Sequence, residues 1–168
     1  MLTEKTLSVF ILWGVLMNPS FFSLEEFLTK EEKSDLIEAA NTVEFKLYTP
    51  SVGEQLKTEP INVHPFPFRD HDSSGLLKLN PNSTQPWHVD GRTYAVIIHP
   101  LIPEDDYAPL CTKHGEATTP VILNTQAPHA VFNNDNVRVN LQIPLFVPYE
   151  DLYNDRNHNI WKVINRLY

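Results

Sequence analysis

Residues 130–143 read AVFNNDNVRVNLQI, and this stretch decides the predicted fold. The apolar run at 130–132 and the alternating run at 137–143 are each typical of a short β-strand. The residues between them, NNDN at 133–136, favour a tight turn, because Asn and Asp side chains bond nearby backbone groups. The stretch therefore predicts an antiparallel hairpin whose alternate residues face one side of a sheet.

Short apolar segments of the same kind recur along the chain. They lie at 43–47, 76–79, 94–99 and 121–123, and turns rich in Pro, Asn and Asp separate them. Several short strands at such spacing predict a β-sandwich or barrel. The long Pro- and His-rich segment 49–72 is expected to be a loop that shapes specificity, because binding determinants collect on loops above a rigid scaffold.

Helices are expected at the two ends of the chain. Thr29 and Glu32 fit a capping box that opens a helix over 30–41, and a second such box begins at Ser23. We therefore expect one or two helices between residues 23 and 41. Apolar residues at helical spacing predict a further helix in the tail, 157–168.

Length and charge limit the possible organisation. The chain has 168 residues and a formal net charge of −8, with one cysteine, Cys111. This length predicts one domain, and a single cysteine excludes an internal disulfide framework. The acidic balance argues against a broad nucleic-acid-binding surface, so no nucleic-acid partner is expected.

The domain is predicted to span 21–168, behind an N-terminal apolar extension at 1–20. Residues 8–17, SVFILWGVLM, are too few to span a bilayer, so no stable membrane span is expected. The same run could be a secretory signal or anchor, a buried strand, or an extension ahead of a start at Met17. The segment lacks a small-residue cleavage pattern, so a cytoplasmic protein is expected.

Three residues are candidate metal ligands. His88 and Asp90 stand two positions apart, so on an extended segment both side chains lie on one side and can reach one ion. His129, at the start of a predicted strand, is the best third ligand. Two His and one carboxylate form the facial triad of non-haem Fe(II) oxygenases and leave three metal positions open. One such triplet is expected by chance, and a second, beginning at His114, is interpreted as a solvated loop.

Arg138 adds specificity to this pattern. It follows His129 by nine residues, across the predicted hairpin, which would bring it into the same barrel. A buried arginine needs an anionic partner, and a carboxylate bound by two parallel hydrogen bonds is the natural one. The simpler alternatives are a strand-edge histidine at position 129 and a surface salt bridge at position 138.

This set of residues resembles the H-x-D…H…R/K signature of the 2-oxoglutarate- and Fe(II)-dependent dioxygenases. The helix around Thr29 resembles the N-terminal helix of their prolyl-hydroxylase-like branch. The resemblance implies a double-stranded β-helix (jelly roll) with N-terminal helices packed on the sheet. It implies iron held by His88, Asp90 and His129, and 2-oxoglutarate whose distal carboxylate pairs with Arg138. It also implies O2-dependent hydroxylation with release of succinate and CO2.

The remaining cosubstrate contacts are less well defined by this resemblance. Many members have Ser or Thr two residues after the arginine, where this chain has Asn140. Many also use a Tyr on an early strand, a role for which Tyr94 is a candidate. Asn80 is a further cosubstrate candidate, and Arg92 is a candidate for binding either the cosubstrate or an acidic substrate.

Two other classes of protein share parts of the pattern. Cupins have a jelly-roll core and bind metals or small molecules without oxygenase chemistry, but they do not need an inward arginine nine residues after the last histidine. An interaction protein on a degenerate oxygenase fold would be expected to have lost a ligand. The substrate itself is open among amino-acid, peptidyl and small-molecule compounds.

Overall fold

The structure is a computed structural model that describes residues 18–48, 55–58, 75–90 and 95–157. The strands in these ranges are β1 (Phe21–Ser23), β2 (Lys46–Leu47), β3 (Leu56–Lys57), β4 (Gly75–Leu79), β5 (Thr84–His88), β6 (Ala95–Pro100), β7 (Leu110–Thr112), β8 (Gly115–Ala117), β9 (Val121–Asn124), β10 (His129–Phe132) and β11 (Arg138–Leu145). The helices are α1 (Lys30–Thr42) and α2 (Tyr149–Asn154), with a 3₁₀ turn at Glu104–Asp106. The tail beyond residue 157 and most of the predicted loop 49–72 lie outside the described residues.

The strands form two antiparallel sheets. The larger has the order β1-β9-β6-β11-β4-β3-β2, and the smaller has the order β5-β10-β7-β8. Consecutive strands thus alternate between the sheets from β4 to β7, and β10 and β11 are split between them as well. This is the predicted jelly roll, in which two sheets wind around a shared interior.

Two adjacent turns close one end of the barrel. The turn after β4 and the turn after β10 are joined by hydrogen bonds from Asn82 N–H to the Asn134 carbonyl (2.8 Å) and from Asn133 N–H to the Ser83 carbonyl (3.0 Å). These turns place β4 over β5 and β11 over β10. The opposite end is therefore where β5 ends and β10 begins.

The alternation of side chains sorts the core into two clusters. An inner cluster lies between the sheets: Leu79, Val96, Ile98, Ala108, Leu110, Ala117, Val121, Leu123 and Val131. An outer cluster packs the larger sheet against the helices, with Leu36 of α1 and Leu152 of α2 against Ile97, Leu141 and other strand residues. Strands β6 and β9 are buried on both faces, which explains their continuous apolar sequence.

The prediction of one or two helices between residues 23 and 41 is confirmed with a single helix. The Thr29 hydroxyl accepts from the Glu32 backbone N–H and the Glu32 carboxylate accepts from the Thr29 N–H, so the predicted capping box opens α1. The second box yields no helix, because Phe21–Ser23 pairs with β9 as a strand. Phe21 packs against the inner cluster and Phe22 against the outer one, a two-sided burial that a strand provides. The described ranges contain no helix long and apolar enough to cross a membrane.

Candidate metal centre

The three predicted ligands meet at the end of the barrel opposite the two linked turns. His88 ends β5 and His129 begins β10, and the two residues are cross-strand partners whose ring centroids lie 4.3 Å apart. Asp90 follows β5 by two residues. Its backbone N–H donates to the Thr125 carbonyl (2.9 Å), and its carbonyl accepts from Gln126 Nε2 (2.7 Å). The pairing of β5 with the segment before β10 therefore fixes all three residues.

Backbone carbonyls set the tautomer of both histidines. His88 Nδ1 lies 2.7 Å from the Pro86 carbonyl, and His129 Nδ1 lies 2.9 Å from the Ala127 carbonyl. A carbonyl only accepts, so in the neutral form of each ring Nδ1 holds the proton and Nε2 carries the lone pair. This is the arrangement in which a second hydrogen bond orients a metal-binding imidazole.

The free ligand atoms converge on one point. Asp90 Oδ1 lies 3.6 Å from His88 Nε2, and Asp90 Oδ2 lies 3.7 Å from His129 Nε2. The three ligand atoms lie within 4.8 Å of one another, a spacing that one divalent cation can bridge. Burial lowers the pKa of His129, partly offset by the Ala127 carbonyl and Asp90, and a neutral imidazole is the form that binds a metal. The donor set thus fits a facially bound divalent iron.

Gln85 was missed by the sequence analysis. Its side chain is buried, and Gln85 Nε2 lies 3.4 Å from His88 Nε2. A glutamine three residues before a histidine matches no sequence motif. Only the position of β5 along the barrel interior brings Gln85 next to His88. It lies beside the metal position as a polar neighbour of the first ligand.

Arg138 occupies the closed part of the same interior. Arg138 is the cross-strand partner of Leu79 in β4, which belongs to the inner cluster, so Arg138 faces the space between the sheets. Val131, two residues after His129 on β10, belongs to the same cluster, so His129 faces that space as well. Only 4% of Arg138 is exposed. Its Nε donates to the Ala108 carbonyl (3.0 Å) and its Nη1 to Asn140 Oδ1 (2.8 Å). The sequence alternative of a surface salt bridge is therefore wrong.

The charge of Arg138 has no acidic partner among the described residues. Its recorded neighbours are two neutral oxygens and the ring of Tyr107, whose centroid lies 4.3 Å from the guanidinium carbon. Burial lowers the pKa of Arg138, although a guanidinium remains protonated in proteins. Two of its five N–H donors thus bond to neutral acceptors. A buried cation whose charge is not compensated by these acceptors is suited to bind an anion.

Tyr107 is a second residue that the sequence analysis missed. Its hydroxyl is buried and has no hydrogen-bond partner within the described part of the chain, although buried polar groups are nearly always paired. Burial raises the pKa of Tyr107, with the charge of Arg138 acting in the opposite direction. Tyr107 follows the 3₁₀ turn and does not lie on a predicted strand. The alternation of side chains along a strand, which made Tyr94 a candidate, therefore did not point to Tyr107.

The other cosubstrate candidates divide into three groups. Asn140 is buried, and its Oδ1 accepts a hydrogen bond from Arg138, a contact that the sequence analysis did not predict. Asn80 is exposed in the turn after β4, and its recorded contacts are made by its carbonyl, which accepts from Ser83 and Asn133. Arg92 and Tyr94 lie outside the described residues.

The second H-x-E triplet takes no part in this centre. His114 lies in the exposed turn between β7 and β8 and accepts at Nδ1 from Ser20 N–H (3.0 Å) and the Ser20 hydroxyl (2.7 Å). It joins the start of the described chain to the smaller sheet. Its interpretation as a loop histidine agrees with this position.

Two solved prolyl hydroxylases are similar in structure to this chain. The prolyl-4-hydroxylase of Pseudomonas putida matches with a TM-score of 0.55 and 12% identity, covering 73% of this chain and 90% of that one. The viral collagen prolyl hydroxylase of Paramecium bursaria Chlorella virus-1, in its 2-oxoglutarate complex, matches with a TM-score of 0.53 and 13% identity. That match covers 78% of this chain and 98% of the viral one.

These likenesses show a shared fold. No protein-family model matches the sequence, and a search of curated proteins finds no match. The chain shares the fold of these two prolyl hydroxylases, a jelly roll, and holds a His-Asp-His cluster inside it.

Proposed function

We propose that the protein is a 2-oxoglutarate- and Fe(II)-dependent dioxygenase of the prolyl-hydroxylase-like branch. It hydroxylates an unactivated C–H bond of an amino-acid, peptidyl or small-molecule substrate and releases succinate and CO2. The observation that carries the proposal is the combination of two features in one interior. A His-Asp-His cluster turns both Nε2 atoms towards one point, and a buried arginine without an acidic partner among the described residues lies deeper in the same barrel.

Three residues would hold the metal. His88, Asp90 and His129 offer two neutral nitrogens and one carboxylate, and a triad of this kind leaves three positions for other ligands. When bound, iron together with 2-oxoglutarate and O2 supplies the oxidising chemistry. The protein contributes rigid ligands, because the Pro86 and Ala127 carbonyls hold both rings in place.

Three further residues would bind and orient the cosubstrate. Arg138 provides a buried guanidinium whose remaining donors match a carboxylate bound by two parallel hydrogen bonds. The Tyr107 hydroxyl, which lacks a partner, would donate to the same carboxylate. Asn140 accepts from Arg138 and so fixes the direction of the guanidinium.

The walls of the interior would exclude water. The inner cluster is aliphatic, and Leu79, Val121 and Val131 are each at most 2% exposed. A dry cavity strengthens the attraction between Arg138 and an anion, because fewer water dipoles screen it. It also limits side reactions of an oxidising centre.

An anaerobic titration tests the proposal. Purified protein is titrated with Fe(II) and then with 2-oxoglutarate while the visible absorption is recorded. A charge-transfer band that requires both components is the expected result, and its absence in Asp90→Ala would assign it to the proposed centre. Metal binding without the band would favour the cupin-type alternative, and a protein that binds no metal would contradict both.

A further inference from the structure

A β-bulge in β5 turns Gln85 towards the same interior as His88. Gln85 is the cross-strand partner of Val131 on β10. His88 is the partner of His129, so three steps along β5 match two steps along β10. In a regular strand, residues three positions apart face opposite sides. The extra residue in β5 re-aims one side chain, a device that is frequent beside active sites, and so Gln85 joins the first metal ligand on the inner face.

The amide of Gln85 bonds to the atom of His88 that would bind the metal. Only 9% of Gln85 is exposed, and its Nε2 lies 3.4 Å from His88 Nε2. The bond of His88 Nδ1 to the Pro86 carbonyl makes Nε2 the acceptor in the neutral ring, so Gln85 is the donor. Among the described residues, His88 is the hydrogen-bond partner recorded for this side chain.

Metal binding would take this acceptor away from Gln85. An imidazole nitrogen has one lone pair, and a bound metal uses it. The amide would then be a buried donor without a partner, a state that is costly and rare in proteins. The side chain opposite it, Val131, is apolar and 2% exposed, so it offers no replacement. An oxygen atom of a molecule bound to the metal beside His88 would restore the lost hydrogen bond.

Gln85 lies on the side of the metal cluster that leads to Arg138. It is the second residue of β5, close to the turn that closes one end of the barrel, whereas His88 is the last residue of that strand. Arg138 begins β11 opposite Leu79, the last residue before the same turn. Gln85 and Arg138 thus both come from the turn side of the cluster. A molecule that extends from the metal to Arg138 therefore leaves the metal on the side of Gln85.

We propose that Gln85 donates a hydrogen bond to the 2-oxo acid end of 2-oxoglutarate, the end that binds the metal, while Arg138 binds the distal carboxylate. The inference rests on the proposed function and assigns it a further residue that recognises the cosubstrate. Each end of the cosubstrate then has its own donor, which holds the molecule in one orientation. In the metal-free protein the same amide bonds to His88 instead.

An anaerobic titration of Fe(II)-loaded protein with 2-oxoglutarate tests the inference through the visible charge-transfer band. Gln85→Met removes the donor and keeps an unbranched side chain of similar length in the buried space. We expect this variant to bind 2-oxoglutarate about 5-fold more weakly, since one hydrogen bond is lost. The band should also move in wavelength, because the lost bond changes the charge on the coordinating oxygen atoms.

Two controls separate a contact with the cosubstrate from a structural role. The affinity for Fe(II) without cosubstrate should not fall in Gln85→Met, because the amide competes with the metal for His88 Nε2. Thr84→Val is the matched variant, since Thr84 precedes Gln85 on β5 but is exposed, so its loss removes a hydroxyl from the outer face. It should leave the 2-oxoglutarate affinity, the Fe(II) affinity and the band unchanged.

Three results for Gln85→Met would overturn the inference. They are an unchanged affinity for 2-oxoglutarate, a weaker affinity for Fe(II), and a weaker affinity for 2-oxoglutarate with the band at its original wavelength. The second result would make Gln85 a support for His88, and the third would make its effect indirect. A normal wild-type band with any of these results rejects the role of Gln85 alone, whereas a band missing from the wild type rejects the oxygenase assignment.

Discussion

Replacement of Arg138 by methionine should abolish tight binding of 2-oxoglutarate while leaving the fold intact. Methionine is unbranched and fills most of the space of the arginine stem, so the inner cluster stays packed. The variant removes the cation that is 4% exposed and faces no described carboxylate. The proposed pairing thus makes a prediction about affinity for the cosubstrate rather than about folding.

The magnitude follows from the lost hydrogen bonds. Two charge-assisted bonds to a carboxylate are worth about 3 kcal/mol or more together, since each contributes about 1.5–3 kcal/mol. A loss of about 3 kcal/mol weakens binding roughly 150-fold, because each 1.4 kcal/mol is a factor of ten. At a concentration 100 times the wild-type Kd, 2-oxoglutarate should stabilise the wild type by about 2.7 kcal/mol and the variant by about 0.3 kcal/mol.

Stability without cosubstrate is a poor guide, because two effects oppose each other. Removing an uncompensated buried charge favours the folded state. Leaving the Ala108 carbonyl and Asn140 Oδ1 without their donor costs about 1–3 kcal/mol for each group. The informative quantity is therefore the increase in the free energy of unfolding on adding 2-oxoglutarate.

Denaturant unfolding of Fe(II)-loaded protein under nitrogen, with and without 2-oxoglutarate, measures this increase. Arg156→Met is the matched control, since Arg156 is exposed and its guanidinium carbon lies 3.7 Å from the centroid of the Tyr153 ring. The control should keep the full increase. If Arg138→Met keeps it too, Arg138 does not bind the cosubstrate.

Three other changes test separate parts of the molecule. Asp90→Ala removes one of the three proposed metal ligands and should weaken Fe(II) binding by at least 10-fold in anaerobic calorimetry, whereas Asp135→Ala, which removes an exposed carboxylate in a turn, should have no effect. Tyr107→Phe deletes a buried hydroxyl that lacks a partner, so it should weaken 2-oxoglutarate binding about 5-fold without lowering the stability of the cosubstrate-free protein; unchanged affinity would contradict the assigned contact. Burial acts to raise the pKa of Glu26, but its bond to His99 and other contacts lower it overall. The Glu26 carboxylate therefore contributes stability above its unfolded pKa of about 4.3, and this contribution is lost as the pH falls through the folded value. The difference in free energy of unfolding between wild type and Glu26→Gln should shrink as the pH falls below about 4.5; a difference that grows over this acidic range would refute this sign.

The sequence predicted the elements whose periodicity is strong. The strands that hold His129 and Arg138 alternate clearly, and the Asn-rich turn between them separates them without ambiguity. Spacing alone therefore placed both residues in one barrel. The capping box at Thr29 located the start of α1, because this sequence signal is local.

Long-range pairing decided the elements that were missed. Strand β5 reads TQPWH, with a proline and little apolar alternation, and becomes a strand only by pairing with β10. The segment at Phe21 has a helix-start signal nearby, but pairing with β9 and burial on both faces outweigh it. Tyr107 contacts Arg138 across about 30 positions of sequence, a distance at which no local pattern operates.

Asn140 illustrates how a departure from a motif can preserve its chemistry. Many dioxygenases that resemble this chain have Ser or Thr at this place, and a hydroxyl there can donate to the cosubstrate. Arginine can only donate, so the atom of Asn140 that lies 2.8 Å from Arg138 Nη1 must be the amide oxygen. The amide nitrogen is then left as a donor next to the guanidinium, with no acceptor recorded for it among the described residues. Under the proposed function, the amide would keep the donor that a hydroxyl would provide, while its oxygen accepts from the guanidinium.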